Sequence, residues 1–331
     1  MSEPAFTDLV DLAAERLGGA VLLANDEFFA PKESLLRAAA PLWKEDEYTD
    51  RGKWMDGWET RRRRSPGHDW CLIRLGLPGV VHGVVVDTAF FRGNYPEQCE
   101  IAGCAVDGVP DPAQLVADES VRWHLLVPRS ALSGDSRNAF AVSCDQRITH
   151  VRLRIYPDGG VARLRVHGEV RPSPEALKPG RAFDLAALEH GGFVMVCSDM
   201  FFGHRQNLIL PGRSTHMGDG WETRRRRGPG NDWTIVRLAA RGILERIELD
   251  TDHYKGNAPG SVSLSWCDAP GADADALAAG GPWKPLLDQT VLQPHARHAW
   301  DLAKPVTATH VRLDIFPDGG VARLRLHGRV A

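Results

Sequence analysis

Long hydrophobic runs are absent from this 331-residue chain, and its formal net charge is only −3. Apolar stretches such as residues 20–24 are far shorter than the ~20 residues that a transmembrane helix needs. We therefore expect no membrane partner, and no nucleic-acid partner held by a strong overall field. Acidic residues interrupt the first 17 positions, which argues against a signal peptide, so we expect a cytoplasmic protein.

Closely spaced cysteines and the common catalytic signatures are also missing. The six cysteines include no C-x-x-C pair, which disfavours both a disulfide framework and a zinc site. The chain has no H-E-x-x-H, G-x-S-x-G, P-loop or G-x-G-x-x-G, so metalloproteases, serine hydrolases, kinases and dehydrogenases have no support. Hydrophobic residues at 43% and charged residues at 25% are typical of a globular chain that can bury a core.

What the chain does contain is one long pattern, present twice. Residues 56–64 and 219–227 both read DGWETRRRR. The segment HVRLRIYPDGGVARLRVHG, from His150, returns from His310 as HVRLDIFPDGGVARLRLHG. Copies of about 160 residues are too long for solenoid units, whose periods are roughly 20 to 50 residues. We predict two tandem domains from an internal duplication, residues 1–170 and 181–331, joined by an extended proline-rich linker at 171–180.

Short strands between Gly and Pro turns dominate each copy. Residues 69–75 and 80–87 are interpreted as strands, and residues 150–155 and 161–166 as an antiparallel hairpin around Pro-Asp-Gly-Gly. The clearest helical pattern is residues 8–17, with a counterpart at 184–189. No long helices alternate with the strands. We predict an all-β fold of two β-sandwiches, and the order of the segments resembles discoidin and galactose-binding-like jelly rolls.

The repeated G-W-E-T-R-R-R-R run is the strongest candidate site. On a strand, alternate side chains share a face, so Glu59, Arg61 and Arg63 would point the same way. Arginine forks bind carboxylates, and a nearby glutamate can carry protons as a base whose pKa the arginines lower. The predicted catalytic glutamates and substrate-binding arginines of the two copies are Glu59, Glu222, Arg61, Arg63, Arg224 and Arg226. A solvated, salt-bridged strand with its tryptophan in the core is the alternative.

A second repeated motif, D-T-x-x-[FY]-x-G-N, follows an apolar strand in each copy. Its asparagine, Asn94 or Asn257, can both donate to and accept from a urea-like group, so we predict both as substrate ligands. The second copy also carries His253 and Lys255, whereas the first has Phe90 at the histidine position. We predict His253 as a general acid, Lys255 as a ligand, and a larger catalytic share for the second copy. A turn capped by asparagine is the alternative.

The paired Pro-Asp-Gly-Gly turns contain Asp158 and Asp318. We interpret both turns as structural, with a calcium site as the alternative because a carboxylate and carbonyl oxygens can hold that ion. We predict no metal-ligand set and no cofactor, and leave a structural or activating divalent cation open.

The segments MDGWETRRRR, GHDWCLIRLG, GVVVDTAFFRGNYPE, GDGWETRRRRGPGNDW and LDTDHYKGNAP together resemble the allantoicase family. The resemblance extends over both copies, from Asp26 to Gly328. It implies repeated jelly rolls and a hydrolase that converts allantoate, its small-molecule partner, and water to ureidoglycolate and urea in purine degradation. It does not determine the oligomeric state, and a homo-oligomer is one of the states left open. The alternative is a non-catalytic tandem module that binds a sugar or a small anion.

Overall fold

The computed structural model describes residues 4–331, which separate into two compact units at the bond between Arg171 and Pro172. Strands dominate both units, and each contains one short α-helix, α1 (Pro112–Ala117) and α2 (Ala274–Gly280), in the described chain. Aspartate N-caps explain where these helices begin: Asp111 and Asp273 each accept two backbone N–H groups of the first turn. The predicted all-β fold with an internal duplication is confirmed.

The first unit is built on one large antiparallel sheet. The strands of the unit are β1 (Val10–Asp11), β2 (Ala20–Ala24), β3 (Tyr48–Thr49), β4 (Gly52–Lys53), β5 (Trp58–Glu59), β6 (Asp69–Asp87), β7 (Gln98–Cys104), β8 (His124–Ala131), β9 (Arg137–Ala141), β10 (Arg147–Tyr156), β11 (Gly160–Val161) and β12 (Arg163–Val170). The strand order in the sheet is β1-β12-β6-β10-β7-β8, and β2 and β9 also pair with β6. Outside this sheet, β5 pairs with β11 and β3 with β4. Single 3-10 turns lie at Ala5–Asp8, Glu15–Leu17 and Lys32–Leu36.

The second unit repeats this plan. Its strands are β13 (Ala182–Asp184), β14 (Phe193–Cys197), β15 (Trp221–Glu222), β16 (Asp232–Asp250), β17 (Ser261–Cys267), β18 (Lys284–Val291), β19 (Arg297–Phe316), β20 (Gly320–Val321) and β21 (Arg323–Val330). The strand order in its sheet is β13-β21-β16-β19-β17-β18, β14 pairs with β16, and β15 pairs with β20. Its 3-10 turns lie at Pro174–Leu177, Leu188–His190, Arg205–Ile209 and Met217–Asp219.

The predicted hairpin around the Pro-Asp-Gly-Gly turn is wrong. Strands β10 and β12 both pair with β6, which lies between them. The reason is that the segments predicted as separate strands at 69–75 and 80–87 form the single 19-residue strand β6. Strand β10 pairs mainly with the first part of β6, and β12 pairs with the second. In the second unit, β16 separates β19 from β21 in the same way.

The helix predicted at residues 8–17 is also wrong. This segment contains strand β1 and the 3-10 turn Glu15–Leu17. The Asp11 carboxylate accepts the backbone N–H of Ala13 at 3.1 Å and that of Val166 at 2.9 Å, which fixes the chain beside β12. Asp184 makes the corresponding bonds in the second unit, where a helix at 184–189 was expected. Short polar side chains that bond to nearby backbone compete with helix formation in this way.

The predicted linker contains a turn. Pro174–Leu177 form a single 3-10 turn, whereas the three prolines of residues 171–180 were expected to keep the segment extended. Proline is compatible with the first position of such a turn, because the N–H that it lacks would have no partner there. The six cysteines are all free, and no helix within residues 4–331 is long and apolar enough to cross a membrane.

The tryptophan of each DGWETRRRR run anchors the run in its unit. Trp58 and Trp221 are fully buried. Their indole N–H groups donate to the backbone oxygens of Asp26, at 2.8 Å, and Asp199, at 2.9 Å. The glutamate that follows each tryptophan is therefore held at a fixed place beside the sheet.

Candidate active site

Three repeated segments of the first unit meet at Glu59. Strand β5 pairs with β11, which sets Glu59 opposite Gly160 of the Pro-Asp-Gly-Gly turn. The backbone N–H of Gly160 donates to the carbonyl oxygen of Asn94 at 2.7 Å. The Asp158 carboxylate accepts the backbone N–H of Arg63 at 2.8 Å. These bonds join the arginine run, the Gly-Asn loop and the turn into one assembly.

Glu59 is a nearly buried carboxyl group with an amide partner. It is 9% exposed, and Asn94 Nδ2 donates to its Oε1 at 2.7 Å. Burial raises the pKa of Glu59, and the hydrogen bond from Asn94 opposes that rise. The expectation that arginines lower this pKa is not met, because burial raises it and the group that opposes the rise is Asn94 rather than an arginine.

A cavity of about 610 Å³ opens beside Glu59. Its lining residues include acids, an asparagine, a tyrosine and three arginines. The members that matter for chemistry are Glu59, Arg62, Arg63, Arg64, Asn94 and Tyr95. The structure thus brings together three of the residues that the sequence predicted in the first copy, Glu59, Arg63 and Asn94.

The arginines of the first run have different surroundings. Arg61 is 65% exposed, and its Nε donates to Asp26 Oδ2 at 2.7 Å. Arg63 Nη1 pairs with the buried Asp69 at 2.6 Å. Arg62 and Arg64 line the cavity, and their guanidinium groups form no hydrogen bond or ion pair within residues 4–331.

The predicted alternation of side chains along this run is wrong beyond Glu59. Strand β5 ends at that residue, so the arginines lie on irregular backbone and consecutive side chains, from Arg62 to Arg64, reach the same cavity. Sequence reasoning therefore missed Arg62 and Arg64. It also missed Tyr95, whose signal is a difference between the copies, since Ala258 stands at its position in the second.

The second unit repeats the central pair. Asn257 Nδ2 donates to Glu222 Oε1 at 2.6 Å, and burial raises the pKa of Glu222. Glu222 is less buried than Glu59. Asn257 Nδ2 also donates to the sulfur of Met217 at 3.4 Å.

The arginines of the second run follow the pattern of the first. Arg224 Nε donates to Asp199 Oδ2 at 2.9 Å, and Arg226 pairs with Asp232. The intervening positions 225 and 227 are exposed arginines, as 62 and 64 are in the first unit. Both copies therefore use the arginines at 61 and 63, or at 224 and 226, in ion pairs with their own aspartates.

His253 and Lys255 have other neighbours. The ring Nε2 of His253 lies 3.1 Å from the backbone oxygen of Ser214, and its backbone N–H donates to the ring of His295 at 2.8 Å. Lys255 is exposed, and its backbone N–H donates to the oxygen of His253 at 3.1 Å. Within the described chain, no hydrogen bond or ion pair joins either side chain to Glu222. Their catalytic and binding roles stay predictions.

The Pro-Asp-Gly-Gly aspartates bind backbone. Asp318 accepts the N–H of Arg226 at 2.7 Å, as Asp158 does for Arg63. Within residues 4–331, no three His, Cys, Asp or Glu side chains are grouped so that they could hold a metal ion. The structural interpretation of these turns rests on bonds that are present, and the calcium alternative, which needs a carboxylate and carbonyl oxygens, stays open.

Known proteins resemble the chain over nearly its whole length. A family model described as allantoicase repeat matches residues 10–171 and 183–331. A probable allantoicase of Streptomyces avermitilis is 49% identical over 333 residues, which cover 98% of this chain and 86% of that protein. The allantoicase of Dictyostelium discoideum is 44% identical over 324 residues, covering 97% and 87%. A crystal structure of Saccharomyces cerevisiae allantoicase superposes with a TM-score of 0.76 at 34% identity, covering 96% and 92%.

The two matched repeats contain both Glu–Asn pairs and both arginine runs. The resemblance seen in the repeated motifs therefore extends to a family model, to relatives and to a solved structure. The chain belongs to the allantoicase family.

Proposed function

We propose that the chain hydrolyses allantoate to ureidoglycolate and urea, and that the reaction takes place in the Glu59 cavity of the first unit. Family membership supports the reaction. The observation that carries the location is the nearly buried Glu59, bonded to Asn94 and placed beside Arg62 and Arg64, which form no ion pair within residues 4–331. No observation favours the non-catalytic sugar-binding or anion-binding alternative.

Substrate binding follows from the charges of the cavity. Allantoate has one carboxylate and two ureido arms on a single central carbon. Arg62 and Arg64 present guanidinium forks that suit the carboxylate, and within the described chain neither arginine is held in an ion pair. The amide of Asn94 suits a ureido oxygen or N–H group.

The proposed chemistry replaces one C–N bond by a C–O bond. The departing ureido nitrogen takes a proton, the C–N bond breaks, and the remaining ureido nitrogen donates its electron pair to the central carbon. Glu59 removes a proton from water as the water oxygen adds to that carbon. Tyr95 is the proposed donor to the leaving nitrogen, and the proton that Glu59 gains restores the phenol after turnover. Atoms and charge then balance with one water consumed.

The first unit is the more complete of the two. Its cavity contains Tyr95 and Glu97, where the second copy has Ala258 and Gly260. Burial is greater at Glu59 than at its counterpart, which favours a carboxylate whose basicity is raised by its surroundings. This proposal differs from the sequence-based preference for the second copy, which rested on His253.

The activity is tested directly by urea release. Purified protein is incubated with allantoate, and urea is measured by a colorimetric assay alongside ureidoglycolate. We expect equal molar amounts of the two products, since one C–N bond is broken per turnover. No urea above the protein-free control would contradict the proposed function. The cytoplasmic location and a homo-oligomeric state stay predictions.

The pH dependence of kcat/KM should report the Glu59 carboxyl group. A general base must be ionised, so activity is lost as the pH falls through its pKa. Because burial raises the pKa of Glu59, we expect the loss to begin at a higher pH than for an ordinary glutamate. In Asn94→Ala the hydrogen bond that opposes this rise is gone, so the acid limb should move to still higher pH. An acid limb that stays in place would contradict the assignment.

A further inference from the structure

One face of the sheet differs between the two units. In the first unit, Phe6 of the turn Ala5–Asp8 packs over this face, with its ring centroid 6.0 Å from that of His167. A Cβ atom at Gly83 would lie 2.2 Å from the Phe6 ring, so the strand and the turn are in close contact. Phe6 thus covers the part of this face at Gly83 and His167.

Strand register identifies the corresponding residues in the second unit. The central strand is β6 in the first unit, where it pairs with β9 and β12, and β16 in the second, where it pairs with β19 and β21. Residues that face each other across these strands in one unit therefore have defined counterparts in the other. The matched pairs are Gly83 and Arg246, Val85 and Glu248, Asp87 and Asp250, Ala141 and Asp301, Arg137 and Arg297, Arg163 and Arg323, Arg165 and Arg325, and His167 and His327.

The matched positions fall into two groups. The aspartate, the arginines and the histidine are the same in both units. Three positions that are apolar in the first unit are charged in the second, where they are Arg246, Glu248 and Asp301. The two units therefore share a polar framework, and the second has charges of both signs in the region where Phe6 packs in the first.

These second-unit residues, except Asp301 and His327, line a cavity of about 290 Å³. Its charged lining contains more arginines than acids, and it includes Arg213, Arg246, Glu248, Asp250, Arg297 and Arg325. A small molecule can enter this volume, which is close to the lower end of the ~300–1,000 Å³ found for ligand pockets.

Most of the charged lining residues form ion pairs, and within residues 4–331 one arginine forms none. Arg246 donates to Glu248 at 3.0 Å and to Asp301 at 2.9 Å. Arg297 is exposed, and its guanidinium forms no hydrogen bond within the described chain, although Asp250 lies near enough to interact with it electrostatically. Arg297 is therefore the cation best placed to take a ligand anion.

The Asp-Thr loop of the second unit supports the rim of this cavity. Asp252 pairs with Arg213 at 2.7 Å, and His295 lies 3.9 Å from the same carboxylate. The ring of His253 meets the backbone oxygen of Ser214, next to Arg213. The polar residues that distinguish this loop from its first-unit counterpart thus contact the segment that closes the cavity.

We infer that this cavity binds a small carboxylate that also carries N–H groups, a ureido acid or an amino acid. Arg297 would bind the carboxylate, and Glu248 and Asp250 would accept the N–H groups. Inorganic phosphate fits less well, because its negative charge would lie near the carboxylates of Glu248 and Asp250. It also has few hydrogen-bond donors for those carboxylates. The site consists of second-unit residues alone, so it is distinct from the Glu59 cavity.

The test is equilibrium dialysis with radiolabelled N-carbamoylglycine, which has one carboxylate and one ureido group. Substituting alanine at positions 62, 64, 225 and 227 removes the arginines beside both Glu–Asn pairs. We expect this protein to bind one equivalent of the probe. Adding Arg297→Ala or Glu248→Gln should weaken binding at least ~10-fold, the loss expected for one charge-assisted hydrogen bond. Arg137→Ala is the matched control, because Arg137 has the position in the first unit that Arg297 has in the second. This substitution should leave binding unchanged.

Competition distinguishes the classes of ligand. Acetate, which lacks N–H groups, and inorganic phosphate should each compete at least ~10-fold more weakly than unlabelled probe. Glycine, tested in the same way, decides between an amino acid and a ureido acid. Equal effects of Arg137→Ala and Arg297→Ala, or no saturable binding by a protein that still melts cooperatively, would overturn the inference. Because dialysis measures no turnover, its result does not depend on the proposed function.

Discussion

Replacing Glu59 with glutamine is expected to lower kcat for urea release by roughly 10²- to 10⁴-fold, the usual contribution of a general base. Glutamine keeps the shape of the side chain, so the pairing of β5 with β11 should survive. What it loses is the ability to take a proton from water. The measurement is steady-state urea release, with thermal melting to show that the variant is folded.

The duplication supplies a matched control for this experiment. Glu222→Gln removes the same group from the same kind of hydrogen-bonded pair, in the unit that has Ala258 in place of Tyr95. We expect its kcat to stay within about threefold of wild type, a change of under 1 kcal/mol in the barrier. His253→Ala should behave in the same way, because its ring bonds to Ser214.

The opposite result would identify the second unit as the catalytic one. If Glu222→Gln and His253→Ala lose turnover while Glu59→Gln remains active, the preference drawn from the sequence is correct and the proposed location is wrong. If both glutamine variants lose most of their activity, the two pairs act together, and the first-unit assignment is incomplete. Each outcome is read from the same urea assay.

The repeated motifs were sufficient to predict the family, the duplication and the all-β fold. Strand topology was harder, because residues 76–79 contain glycine and proline and therefore suggest a break between two strands. In the folded protein this segment stays within β6, where the pairing of Gly79 with Ile148 and Val170 continues the sheet. Pairing partners distant in sequence decide such cases, and no local pattern reveals them.

The arginine run shows why site residues are harder to predict than fold. Four identical side chains in a row carry no local information about which of them are already paired. Arg61 and Arg63 form ion pairs with Asp26 and Asp69, and both aspartates lie in other segments of the first unit. Their positions in the fold therefore determine which arginines are paired. Glu59 and Asn94 could be named as candidates because both recur with the same spacing in each copy, and the structure places them in hydrogen-bond contact.

Replacing both Arg62 and Arg64 with alanine should lower kcat/KM by roughly 10²- to 10⁴-fold. Each charge-assisted hydrogen bond to the substrate carboxylate contributes about 1.5–3 kcal/mol, or about 10- to 150-fold. The range given is for two losses that add, and because neighbours with one shared partner couple, the single variants measure the departure from it. Both side chains are exposed at the cavity and form no ion pair within residues 4–331, so their removal should cost little stability. The effect should appear in KM at least as strongly as in kcat.

Arg61→Ala distinguishes this assignment from the one drawn from the sequence. Arg61 is 65% exposed and paired with Asp26, and exposed ion pairs typically contribute about 0–1 kcal/mol. If Arg61 only stabilises the segment that contains Asp26, its loss should change kcat/KM less than about fivefold. If instead Arg61→Ala raises KM by tenfold or more while the Arg62 and Arg64 variant is unaffected, then Arg61 leaves its aspartate to hold the substrate. The carboxylate would then bind on the outer side of the run, and the arginines that line the cavity would have no direct part in recognition.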